Sequence, residues 1–404
     1  MDSDSSDGFY APKKKRKNVT HKCPYIEAVN RFNLDFDFEK VCSVTLSNSN
    51  IYACLVCGKY FQGRGKLSPA YVHSMDAGHH IFINLTDERV WCVPDDYEVT
   101  DPSLEDVKFN LNPRYAEMDV VNIPISALSL TGSEFFPGLV SLNQIKEDSY
   151  LNASIHALCG VVKLRDFFLT HCGEERLSRA FSVLQRKMCN AQSFKGIVSP
   201  HDFLQAVSIS SKNEFSSCWA DPLKFLNWFL PALKSETVSG IFQGSTLNGS
   251  FISVSIDLPV IPVFKSEAEL IPTVSIEELL TRRFSSDLIR KFPETLIICF
   301  NRFVRNNFFM EKNATIVRFP LKNLDLSPYG LNIDNREEYL YDLVSTICHE
   351  GKPEEGHFRS LVLHPGMSDQ WFECDGLRIR KQLPQSVSLA ESYLQVWSRR
   401  EIIN

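Results

Sequence analysis

Nowhere do the 404 residues hold an uninterrupted apolar stretch of the roughly 18 residues that a membrane-spanning helix needs. The best runs, such as Thr295 to Phe300, are strand-sized and fit buried cores, so no membrane span is expected. Any long basic stripe interleaved with aromatics is also missing. With 43 Lys and Arg against 49 Asp and Glu, the formal net charge is −6, and direct nucleic-acid contact is not expected as a main activity. Twelve Cys are too sparse for a disulfide scaffold, and the N-terminus has no apolar signal-peptide core. The expected compartment is therefore reducing, where clustered Cys read first as metal ligands. Internal repeats and extended low-complexity segments are absent.

What remains, 44% apolar and 23% charged, is the composition of a globular protein. At about 100 to 200 residues per domain it should hold two or three domains. Residues 1–20 are acidic and Ser-rich, then carry Pro12-Lys13-Lys14-Lys15-Arg16-Lys17. Such a segment cannot bury enough apolar surface to fold alone, and its compact basic cluster reads as a nuclear import signal. Residues 21–99 concentrate Cys and His among aromatics and form a candidate metal domain. Residues 100–137, punctuated by Pro102, Pro113, Pro124 and Pro137, read as a connecting region. Residues 138–404 form the larger domain. Apolar residues at three and four spacing predict helices over Tyr150 to Cys159, Leu177 to Cys189 and Pro222 to Lys234. Strands are predicted at Phe251 to Leu258, Thr295 to Phe300, Tyr341 to Ile347, His357 to Leu363 and Trp371 to Cys374. A final amphipathic helix is expected around Trp397, as core or docking surface. Helices first and an antiparallel sheet later make the fold class α+β.

The sharpest local signal is Cys54-Leu55-Val56-Cys57, followed by Gly58, His73 and His79. Two thiolates across a tight knuckle and two imidazoles complete a tetrahedron with no open position, the pattern of one structural zinc. Ser68-Pro69 reads as a helix N-cap and first turn, and Gly78 as the C-terminal cap. That places His73 on a short helix and His79 just past its end. His80 is a competing ligand, whereas Cys23, Cys42 and Cys92 supply only three further donors and read as packed thiols.

Cys23-Pro-Tyr25, Tyr52 to Gly65 and Cys92-Val-Pro-Asp-Asp-Tyr97 resemble the ubiquitin-protease-type zinc finger. Where ubiquitin-binding fingers of that family carry Cys-Gly-Arg, this sequence reads Gln62-Gly63-Arg64. The arginine is kept and a ligand of the multi-zinc versions is absent. The resemblance implies one zinc on Cys54, Cys57, His73 and His79.

The likeness continues through the larger domain. Ser141 to Asn152 is similar to the nucleophile box of ubiquitin-specific proteases, Gly-Leu-x-Asn-Leu-Gly-Asn-Thr-Cys-Tyr-x-Asn, and Ser149 falls on the cysteine. The oxyanion asparagine falls on Gln144, and the small Gly-Asn pair on Lys146-Glu147. Glu355-Gly-His-Phe358 resembles the box carrying the base His357, and Trp371 to Asp375 the box carrying the orienting Asp375. A serine hydroxyl lacks the ready ionisation of a thiol and needs a base and oxyanion hole placed for it. The expectation is a pseudoenzyme with vestigial Ser149, His357, Asp375 and Gln144. No Cys-x-x-Cys follows Cys57, so no second-domain zinc is expected. Leu223 to Leu230, Phe300-Asn-Arg-Phe303, Asn306 to Val317 and Ser392 to Arg400 resemble more narrowly the family's splicing-factor branch. That branch implies a nuclear scaffold of the U4/U6.U5 tri-snRNP, with tri-snRNP proteins as partners and zinc as the one cofactor. The alternatives are a deubiquitinase or serine hydrolase using Ser149, His357 and Asp375, and a ubiquitin-binding adaptor acting through Arg64.

Overall fold

The computed structural model describes residues 23–145, 148–215, 221–259, 272–305, 310–331, 333–353, 355–367 and 369–401. The basic run at 12–17, the Lys146-Glu147 pair and Phe308-Phe309 lie outside the described residues. The chain divides into two units. One comprises Met1–Leu34 with Lys40–Val107, the other Asp35–Glu39 with Lys108–Asn404.

The smaller unit is built on an antiparallel sheet of five strands in the order β2-β1-β3-β4-β5. They are β1 (Ile51–Cys54), β2 (Tyr60–Gln62), β3 (Ile81–Asn84), β4 (Val90–Cys92) and β5 (Tyr97–Glu98), with α1 (Pro69–Ala77) between β2 and β3 in sequence. One of its buried clusters holds only six residues, among them Tyr52, Phe61 and Phe82. Ile51, Ile81, Ile83 and Val90 are buried beside it.

The larger unit begins with helices α2 (Ser149–Cys159), α3 (Val162–Thr170), α4 (Arg176–Met188), α5 (His201–Ser210) and α6 (Pro222–Ala232). Every residue of α2 from Tyr150 to Cys159 is buried. Phe168, Phe181, Phe203, Phe225 and Phe229 join the helices in a chain of ring contacts. Each such buried side chain contributes about 1.5–3 kcal/mol.

An eight-stranded sheet follows. Its strands include β6 (Ser253–Asp257), β7 (Thr295–Asn301), β8 (Leu340–Glu350), β9 (His357–Leu363), β10 (Trp371–Asp375), β11 (Arg378–Gln382) and β12 (Ser392–Arg399), in the order β6-β7-β12-β8-β9-β10-β11. Alternation divides β7 between two cores. Ile297 and Cys299 face the helices, whereas Leu296, Ile298 and Phe300 join a second cluster around α7 (Ile276–Phe284). The sheet is antiparallel except for β6 and β7, which pair parallel because α7 intervenes as a crossover.

One expectation needs correction: Ser392–Arg399 is a strand, not a final helix, and lies between β7 and β8. Trp397 is fully buried core, its indole N–H donating to Gln395 Oε1 at 3.1 Å. The strand's apolar residues Tyr393, Leu394, Val396 and Trp397 are buried on both of its faces and stand one, three and four positions apart, which is also helical spacing.

Among the described residues three histidines are buried, His156, His349 and His364. His156 donates from Nε2 to the Val140 carbonyl at 2.9 Å, and burial pushes its imidazole below the usual range. Burial also lowers His364, and it lowers His349 to about 4. Between pH 6.5 and about 4 the unfolded chain therefore binds protons that the folded chain refuses. Stability contributed above pH 6.5 is lost as pH falls through that window. Urea midpoints should decline from pH 7 to pH 4, with a shallower slope in His349→Gln.

Candidate metal centre and candidate active site

Strand β1 delivers Cys54 at its end, and the chain reverses through Leu55–Cys57 with Gly58 N–H donating to the Cys54 carbonyl at 2.9 Å. Gly58 has φ +75°, and a Cβ there would stand 2.0 Å from the Asn33 carbonyl oxygen, so only glycine closes this knuckle. Ser68 caps α1 by accepting from Tyr71 N–H, Pro69 opens the helix, and Gly78 ends it at φ +68°, as the sequence predicts. His73 and His79 are thereby brought onto the knuckle. His73 Nε2 is 3.4 Å from Cys57 Sγ, His79 Nδ1 is 3.6 Å from Cys54 Sγ, and the two nitrogens are 3.2 Å apart. All four donor atoms lie within 4.8 Å of one another. A tetrahedral zinc with thiolate and imidazole ligands imposes edges of about 3.3–3.8 Å, so the donor set fits that ion. The hydrogen bond from the Cys54 thiol holds Cys57 well below the usual thiol range, while that bond and burial push Cys54 up.

The other donors are placed elsewhere. His80 turns its Nδ1 to Ser74 Oγ at 2.9 Å and its ring to Tyr25. Cys42 Sγ accepts backbone N–H groups from Val44, Thr45 and Gln62, whereas Cys23 Sγ accepts from the Tyr97 hydroxyl at 3.0 Å. Cys92 donates to Asp95 at 3.7 Å. Among the described residues the Cys54 set is the one group that meets the geometry of a metal site. Arg64 is already engaged: its guanidinium lies 3.6 Å over the Trp91 ring and pairs with Asp96. The sequence singled out Arg64 without its two partners, which are far along the chain and carry no local signal.

In the larger unit, Ser149 is the first residue of α2, His357 opens β9 and Asp375 closes β10. His357 Nε2 lies 2.5 Å from Asp375 Oδ1. Ser149 Oγ instead accepts from the backbone N–H of Phe358 at 3.1 Å. Among the described residues no hydrogen bond joins Ser149 to His357. The strand end that carries His357 is held by a close approach, because a Cβ on Gly356 would meet His349 Nε2 at 1.7 Å. Gln144 sits on an exposed loop lining a cavity of about 680 Å³ with Asn143, Asp375 and Arg378. Asn152 on α2 donates to the Asn143 carbonyl at 3.4 Å and so ties that loop to the helix. Ser149, His357 and Asp375 are therefore neighbours, with the serine hydroxyl turned to a backbone amide. Asn152 and Arg378 belong to this neighbourhood without having been assigned a role from sequence.

The finger family described as "Zn-finger in ubiquitin-hydrolases and other protein" matches residues 42–104. "Ubiquitin carboxyl-terminal hydrolase 39" of Homo sapiens is 37% identical over 94% of this chain and 80% of its own length. "Probable mRNA-splicing protein ubp10" of Schizosaccharomyces pombe is 32% identical over 93% of this chain and 88% of its own. A solved structure described as an essential yeast splicing factor superposes with a TM-score of 0.82 at 27% identity, covering 93% of this chain and all of that one. The family described as "Ubiquitin carboxyl-terminal hydrolase" matches residues 140–397, more than half of the sequence: the chain belongs to the ubiquitin carboxyl-terminal hydrolase family.

Proposed function

We propose that the chain is a non-catalytic splicing factor, a nuclear scaffold that supports U4/U6.U5 tri-snRNP assembly through protein contacts. The observation that carries this reading is likeness over nearly the whole length, at a TM-score of 0.82, to a protein described as a splicing factor. The named splicing relative in fission yeast supports it. In this reading residues 1–20 are a tail with the import signal, 21–99 the finger, 100–137 the connection and 138–404 the protease-like domain. One structural zinc sits on Cys54, Cys57, His73 and His79. Ser149, His357, Asp375 and Gln144 are vestigial, and Ser149 in place of a cysteine is the decisive loss, because its hydroxyl has no base bonded to it.

The test is affinity purification of the tagged full chain from nuclear extract, with Ser149→Ala alongside. Both forms should recover the same tri-snRNP proteins. Recovery of neither the proteins nor the small nuclear RNAs refutes the scaffold, and loss in the Ser149→Ala form alone points to a serine-dependent activity.

A further inference from the structure

Strand β11 closes the large sheet at one side, pairing with β10 and with no other strand among the described residues. The two are joined by a two-residue turn, Gly376-Leu377, with Gly376 at φ +56°. The flanking pair Asp375↔Arg378 and every second pair after it, Glu373↔Arg380 and Trp371↔Gln382, exchange the ladder hydrogen bonds. Ile379 and Lys381 therefore aim their N–H and C=O groups at the open side, and among the described residues no other segment bonds to them.

The side chains on this edge are unusual for a chain of net charge −6. Arg378, Arg380 and Lys381 are all exposed, and among the described residues none has a carboxylate within ion-pair distance. Glu373, opposite Arg380, is committed to Arg359 at 3.1 Å and to Gln382 at 2.6 Å. Lys381 stands 5.1 Å over the Phe136 ring. By the period of two, Arg378 and Arg380 share one face of the strand, with Ile379 and Lys381 on the other. Leu377 and Leu383, 56% and 67% exposed, bracket the edge.

We propose that the open edge of β11 is a docking site for an extended acidic segment of a partner protein, which adds to the sheet as a further strand. Backbone groups of Ile379 and Lys381 supply the register. Arg378 and Arg380, two residues apart, meet two carboxylates also two residues apart, and the residue between these lies against Ile379 and is apolar. Lone charges on an edge also serve to block self-pairing, so the experiment must separate guarding from recognition.

The probe is an array of immobilised heptapeptides with Glu fixed at the third and fifth positions and the others varied, read with the labelled full chain. The strongest binder is then measured by fluorescence anisotropy. Saturable binding that weakens as salt rises, and falls at least tenfold in both Arg380→Glu and Lys381→Pro, is the expected result. Lys381→Pro removes an outward N–H and no ladder bond, so it tests strand addition without opening the sheet. Matching thermal unfolding of the variants and the wild-type chain certifies the fold. Absence of any binder, or binding unchanged in the variants, overturns the proposal. So does self-association of Arg380→Ala without peptide binding, which would make the charges guards. Preference for a single-stranded RNA over every peptide would assign the cations to phosphate and overturn it as well.

Discussion

Stripping zinc from the full chain with a strong chelator is expected to unfold Lys40–Val107 while leaving the larger unit folded. The four donors that converge within 4.8 Å come from the end of β1, the knuckle, α1 and the residue after its cap. Without the ion two thiols and two imidazoles crowd one spot beside a small buried cluster. Structural zinc of this type contributes roughly 10 kcal/mol or more, comparable to the whole stability of a domain. Cys57→Ser should behave like the chelated protein, and His80→Ala, which touches Ser74 instead of the site, should not. Amide spectra of Phe82 and Trp91 report the finger, and mass spectrometry under native conditions should count one zinc per chain. A chelated protein that keeps those resonances dispersed would show that the fold does not depend on the ion.

Replacing Ser149 by cysteine is expected to yield an alkylatable thiol and still no useful hydrolysis of a fluorogenic ubiquitin substrate. Position 149 is the first residue of α2, where the helix N-terminus favours a thiolate. Iodoacetamide should therefore label the variant. Turnover needs more. The side chain at 149 bonds the Phe358 amide instead of the imidazole, and in the proposed reading the oxyanion position is held by Gln144, one methylene longer than asparagine, on an exposed loop. Loss of one oxyanion donor alone costs about 10²–10³ in rate, so the variant should stay below roughly a thousandth of an active family member run alongside. The wild-type chain should show no turnover above buffer. A Ser149→Cys rate within tenfold of the active enzyme would mean that the site had lost only its sulfur.

The convergence of Cys54, Cys57, His73 and His79 was legible because its determinants are local. A two-residue knuckle, a Ser-Pro start and a Gly stop each write their geometry into a few adjacent letters, and these fix where His73 and His79 arrive. The His357 and Asp375 pair was legible for a different reason, as neighbouring strand ends carrying recognisable boxes. Long-range consequences were not. Nothing near Arg64 announces Trp91 or Asp96, and the choice between His79 and His80 depends on which ring Ser74 engages. Residues Asp35–Glu39 bond into the larger unit through Lys187, Lys195 and the Ser199 amide, although their sequence neighbours belong to the smaller one. The helix expected around Trp397 failed because a doubly buried strand satisfies helical spacing too.

The position of β12 bears on biosynthesis. Its two hydrogen-bonding neighbours, β7 and β8, are translated long before it, and the slot between them stays vacant until residue 399 has left the ribosome. A nascent chain paused earlier would present two sticky borders at once, the kind of intermediate that chaperones capture.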